Sequence, residues 1–87
     1  MNSVAIFSNY LMVVTYFNKM KSKINESDLD SISKQDVLDQ LAATKSDMLN
    51  KLDSDSMLDD LTETAVEIIS KMSKLREKGN MKYEHSI

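Results

Sequence analysis

The chain has 87 residues, a formal net charge of −3, a single glycine and neither cysteine nor proline. A chain of this length forms at most one domain and has a thin hydrophobic core, so it usually needs an additional source of stability. The absence of cysteine excludes disulfides and thiolate metal sites. Association with another protein is therefore the stabilising device that we expect.

The same composition predicts an all-α fold. Tight β-hairpin turns depend on glycine and proline at defined positions, and here Gly79 is the only glycine and proline is absent. Helices joined by Asn, Asp and Ser loops can be built from the residues present. We predict a small bundle or hairpin of two to three helices, completed by another chain, as a single domain over 1–79 followed by a flexible tail over 80–87. The helices are expected at about 3–24, 35–52 and 56–78.

The first predicted helix contains the run VAIFSNYLMVVTYF, residues 4–17, which has no charged side chain. Its β-branched and aromatic residues also suit a strand, but spacings of three and four residues favour a helix. One apolar stripe is formed by Ile6, Tyr10, Val13, Phe17, Met20 and Ile24. A second set widens that stripe, namely Phe7, Leu11 and Val14. Met12 and Tyr16 are expected on the opposite, exposed side, with Met12 as a further contact residue.

This broad apolar face has to be shielded from water by other apolar groups. The run is too short to span a membrane, which takes about 20 apolar residues. A secretory signal places its positive charge before the apolar region, whereas Lys19, Lys21 and Lys23 follow it here. Three alternatives remain for what shields this face: the protein's own core, a shared interface with another chain, or a membrane surface.

The middle segment has competing helix-start signals. Asn25, Ser27 and Ser33 are each followed three residues later by an aspartate, as in a capping box. We interpret 25–33 as a loop and expect the second helix over 35–52, with Lys45 interrupting its apolar stripe.

The last segment has the strongest helical pattern. Its apolar residues repeat in heptads typical of a coiled-coil seam: Leu58, Leu61, Ala65, Ile68, Met72 and Leu75. Ser56 and Asp59 match a capping box, Glu67 and Lys71 are spaced for an ion pair, and Gly79 is suited to end the helix.

No pattern in the sequence indicates catalysis, a cofactor or a metal site. Asp53-x-Asp55 and Asp28-x-Asp30 begin like calcium loops, but both lack the glycine and glutamate that such loops require. His85 is the only histidine, and the chain has no cysteine that it could activate as a catalytic nucleophile. Residues 24–60 carry ten acids against three lysines, which argues against nucleic-acid binding.

We therefore expect a non-enzymatic helical interaction protein, an oligomerising subunit or a small adaptor or chaperone, whose partner is itself or another protein. The alternative is a peripheral membrane or lipid-active protein that uses residues 4–20. The expected location is the cytoplasm, or outside the cell after export without a cleaved signal. The predicted interface comprises Phe7, Tyr10, Leu11, Val14, Phe17, Leu61, Ile68 and Leu75.

Overall fold

The fold is a bundle of three α-helices. A computed structural model describes the backbone of residues 2–85 and the side chains of residues 2–78. The helices are α1 (Ser3–Glu26), α2 (Ser31–Leu49) and α3 (Met57–His85), and no strand is present within 2–85. The predicted all-α architecture is confirmed, and completion by another chain stays a prediction.

The turn between α1 and α2 is shorter than the predicted loop. The Ser27 hydroxyl donates to the Ile24 carbonyl at 2.6 Å and helps to end α1. The Asp30 carboxylate then accepts the backbone NH of Ser33 at 2.7 Å and caps α2. The predicted start of the second helix near residue 35 was wrong. The residue that caps α2 is Asp30, whereas the sequence pattern offered Asn25, Ser27 and Ser33 as caps.

The link between α2 and α3 is fixed by a side chain from α1. The amide nitrogen of Asn9 donates to the carbonyls of Leu52 and Ser54 at 2.8 and 3.1 Å. Helix α2 ends at Leu49 instead of the predicted residue 52, and Leu52 packs against the core from the turn. Before α3, the Ser56 backbone NH donates to the Ser54 hydroxyl at 3.2 Å, and not to the Asp59 carboxylate as in the predicted capping box. The Ser56 hydroxyl donates to the Asp60 carboxylate at 3.5 Å.

The core runs along the middle of the bundle and draws on all three helices. The side chains with the least exposure are Val13, Phe17 and Ile24 from α1, Val37 from α2, and Leu61 from α3. Removing a large aliphatic or aromatic side chain from water contributes about 1.5–3 kcal/mol. Packing between helices therefore provides most of the stability, which a single isolated helix of this length would lack.

Helix α1 is rotated relative to the prediction. Met12 and Tyr16, expected on its exposed side, are half-buried and pack against the core. Phe7 and Leu11, expected to widen the buried stripe, are exposed. The reason is the position of α3, which packs on the side of α1 that carries Tyr16 and Met20.

The three helices run up, down and up, and they are staggered. Lys34 donates to the Asn25 carbonyl where α1 meets α2, and Arg76 of α3 pairs with Asp28 in the same turn. Residues 77–85 therefore extend beyond the α1–α2 turn by about 14 Å at 1.5 Å per residue. The first two turns of α1 project at the opposite end, which gives a rod of 59 × 17 × 15 Å.

Two predicted features of α3 differ from the structure. Lys71 pairs with Asp36 of α2 at 3.3 Å, not with Glu67 of its own helix. The helix also continues to His85, so that Gly79 does not end it. The flexibility predicted for 80–87 stays a prediction, and residues 86 and 87 and the His85 side chain lie outside the described residues.

Candidate interaction surfaces

The first exposed apolar surface lies on the projecting end of α1. We call it the N-terminal stripe, and it comprises Val4, Phe7, Tyr10 and Leu11. Phe7 is 61% exposed and Val4 is 76% exposed, which is unusual for side chains of this kind. No charged side chain occurs in residues 1–18, so none interrupts this surface. A contiguous exposed apolar patch of this kind is typical of a protein or membrane contact.

The stripe is exposed because of the stagger of the helices and because of the direction in which Leu11 faces. Asn9 holds the α2–α3 link beside the second turn of α1, and α3 begins at the same level. Leu11 lies closer to the centre of the bundle than that level, and it is exposed because helical spacing turns it away from the core residue Val13. Val14 is half-buried. The geometry therefore presents Phe7, Tyr10 and Leu11, three of the eight predicted interface residues, on one exposed surface.

Most of the other predicted interface residues lie inside the chain's own core. Phe17, Leu61 and Ile68 are buried, and Leu75 is half-buried and packs against the core. Their heptad seam packs onto α1 and α2 of the same molecule. In this fold they support the bundle and do not form part of its outer surface.

A second apolar surface was not predicted as a site. A groove of about 300 Å³ runs between α1 and α3, with Tyr16 and Met20 on one side and Ala65 and Met72 on the other. Beside it α3 exposes three large apolar side chains, Leu58, Val66 and Ile69. We call the groove and these three side chains the α1–α3 face.

The α1–α3 face has charges of opposite sign along its two edges. Lys19 and Lys23 line the groove from α1 and are exposed. On α3, helical spacing places the exposed Asp59 beyond Val66, on the edge away from α1, whereas Glu63 lines the groove between α2 and α3. The sequence signal for this surface was the presence of Val66 and Ile69 outside the heptad seam.

The described part of the chain was also compared with the requirements of a metal site and of a membrane-spanning helix. No group of His, Cys, Asp and Glu side chains among those residues is arranged to hold a metal ion. Within the same residues, no helix combines the length and apolar character needed to cross a membrane. Comparison with protein-family models, with curated proteins and with solved structures finds no match to this chain.

Proposed function

We propose that the chain is a non-enzymatic interaction protein whose N-terminal stripe packs against another protein chain. The observation that supports this proposal is the exposure of Phe7, Leu11 and Val4 on a helix end that carries no charged side chain. An amphipathic helix that lays its apolar face into a groove is a common mode of protein recognition. A rigid bundle that presents such a helix suits a small adaptor or a subunit of an assembly.

The structure gives the stripe two properties that suit a docking helix. Its residues recur at spacings of three and four, so that they lie along one side of α1 and can enter a single groove. The helix end is also fixed at its start, because the Asn2 side chain accepts the Ala5 backbone NH at 2.8 Å. A helix that is already formed loses less conformational entropy on binding than a disordered segment.

The proposal is tested by introducing charge into the stripe. Phe7→Asp and Leu11→Asp are expected to abolish a complex that the native protein forms, because each places a carboxylate in the centre of a buried apolar contact. The complex is measured by cross-linking in the native cell, affinity purification and mass spectrometry, and by sedimentation of the purified protein.

The matched control is Ile32→Asp. Ile32 is 85% exposed at the start of α2, outside the stripe, so this variant makes a similar chemical change elsewhere on the surface. It is expected to keep the complex. A complex that survives Phe7→Asp and Leu11→Asp, or that Ile32→Asp disrupts equally, would contradict the proposal.

Peripheral membrane binding is the second candidate, and it is favoured by the three lysines that follow the stripe. An apolar helix face with basic residues nearby binds anionic lipid surfaces. In this fold, however, Lys19 and Lys23 line the α1–α3 groove, away from Phe7 and Leu11. Flotation with vesicles containing phosphatidylserine separates the candidates, since salt-sensitive binding that Phe7→Asp removes would favour the membrane.

A further inference from the structure

We infer that the groove between α1 and α3 binds a free amphiphile with one alkyl chain and one negatively charged head group, namely a medium-chain carboxylate. The alkyl chain lies along the groove, and the head group lies between the ammonium groups of Lys19 and Lys23. The groove is separate from the N-terminal stripe, so the inference goes beyond the proposed function. It is carried by the apolar lining of the groove, by its width and by the charges at its edge.

The lining of the groove is apolar except at its edge. Met20, Ile24 and Ile68 are buried and therefore lie at its base. On the α3 side, Ala65 contributes only a methyl group and leaves space that a larger side chain would fill. Met72 also lines this side, and its flexible thioether can adapt to a bound chain. Such a lining suits a ligand that presents apolar surface along its length.

The size of the groove fits an alkyl chain and excludes a helix. Its volume of about 300 Å³ is at the lower end of the range of small-molecule sites. Along α1 it extends from Tyr16 to Lys23, a distance of about 10 Å. Packed helices lie about 8–10 Å apart, whereas a further helix with its side chains is about 10–12 Å wide. A helix would therefore rest on top of the groove, while an extended alkyl chain of medium length can enter it.

The charges at the edge indicate the sign of the head group. Lys19 and Lys23 are the charged side chains that line the groove among the described residues, and both are exposed. Within residues 2–78 neither ammonium group forms an ion pair, whereas the charged groups of Lys71 and Arg76 do. The complementary ligand therefore carries a negative charge at one end of its apolar chain.

The spacing of the two lysines adds a second argument. Lys19 and Lys23 are four residues apart, so that their side chains are neighbours on the same side of α1. Like charges at this spacing destabilise a helix. A carboxylate between them would offset this repulsion and accept hydrogen bonds from both ammonium groups. A neutral or cationic head group would do neither.

Binding is tested by NMR on the full chain, labelled with ¹³C at the methionine methyl groups. The probe is decanoate, kept below its micelle concentration. Met20 and Met72 line the groove, whereas Met48 and Met57 line the groove between α2 and α3. Decanoate is therefore expected to shift the methyl signals of Met20 and Met72 in a saturable way and to leave those of Met48 and Met57 in place.

Three variants locate the ligand. Lys19→Gln/Lys23→Gln removes both charges and is expected to raise the Kd for decanoate about fivefold, but not the Kd for decanol, which has the same chain and no charge. Ala65→Leu fills the groove and is expected to abolish binding of both ligands, with the fold checked by circular dichroism. Lys21→Gln is the matched control, because Lys21 lines the groove between α1 and α2. It is expected to bind decanoate as wild type does.

The inference would be overturned if millimolar decanoate left the Met20 and Met72 signals in place, or if decanol bound wild-type protein as tightly as decanoate. Equal decanoate affinities of wild type and Lys19→Gln/Lys23→Gln would also contradict it. Shifts caused by phosphatidylserine vesicles and not by decanoate would instead assign the groove to a membrane surface. Shifts that depend on protein concentration alone would assign it to a second copy. Phe7→Asp is expected to leave decanoate binding unchanged, which separates this test from that of the proposed function.

Discussion

The guanidinium of Arg76 lies 3.0 Å from the carboxylate of Asp28, and this ion pair joins α3 to the turn between α1 and α2. The two residues are 48 positions apart in the chain. Both side chains are largely exposed, so water and salt weaken the attraction between them. The pair shows where α3 passes the end of the α1–α2 hairpin. Its contribution to the stability of the bundle is expected to be small.

We therefore expect only a small effect from removing this pair. Asp28→Asn and Arg76→Gln should each lower the free energy of unfolding by less than about 1 kcal/mol, as measured by urea denaturation followed by circular dichroism. Lys74→Gln, an exposed charge change on the same helix, is the control. A loss well above that limit would mean that the pair is shielded from solvent in solution.

Asn9 is expected to contribute more, because its amide donates to two backbone carbonyls of the α2–α3 link. Asn9→Ala removes both donors from a partly buried site and should destabilise the fold by about 1–2 kcal/mol. Asn18→Ala, on an exposed position of the same helix, should leave stability nearly unchanged. Equal melting temperatures for the two variants would contradict the assigned role of Asn9.

Two leucines of α3 provide a test of the packing. Leu61 is fully buried, whereas Leu58 is exposed on the α1–α3 face. Leu61→Ala should cost about 2–5 kcal/mol of stability through lost burial and a cavity. Leu58→Ala should stay within about 0.5 kcal/mol, as surface substitutions usually do. Both are measured by urea denaturation at a concentration low enough to keep the protein monomeric, and similar losses would place α3 in another rotation.

The start of α2 is expected to depend on Asp30. Its carboxylate accepts the Ser33 backbone NH, and removing such a cap typically costs about 1 kcal/mol. Asp30→Ala should therefore lower the melting temperature and the amide protection of the first turn of α2. Ser33→Ala keeps the backbone NH that Asp30 accepts, and it is the matched control. A larger loss in Ser33→Ala would support the cap that the sequence pattern suggested.

The sequence predicted α1 and the start of α3 well, and it predicted the end of α3 and both ends of the middle helix less well. Repeats of three and four apolar residues define α1 and α3, because such spacing is specific to one side of a helix. For α2, several acidic and hydroxyl residues could have capped the helix. The local sequence pattern does not indicate which of them forms the cap. Lys71 shows a related limit, since local spacing offers Glu67 as its partner while packing brings Asp36 closer.

The exposure of the predicted interface residues could be judged from the sequence only in part, for a reason that lies in α1 itself. Its apolar arc has two edges, one with Phe7 and Leu11 and the other with Met12 and Tyr16, and their hydropathy is similar. Which edge faces inward depends on the position of α3, a contact between residues far apart in the chain. The same dependence placed Leu61 and Ile68 in the core and left Val66 and Ile69 outside.

The stagger of the helices divides the rod into regions of different local stability. Between Asn9 and Glu26, α1 is flanked by both other helices, whereas its first turns and the last turns of α3 have no such neighbours along their length. A helix segment without tertiary packing has a lower local stability than a packed one, even where its first turn is capped as in α1. Backbone amides at either end of the rod can therefore exchange with deuterium while the centre stays closed, and each end can adjust to a bound surface without unfolding the rest.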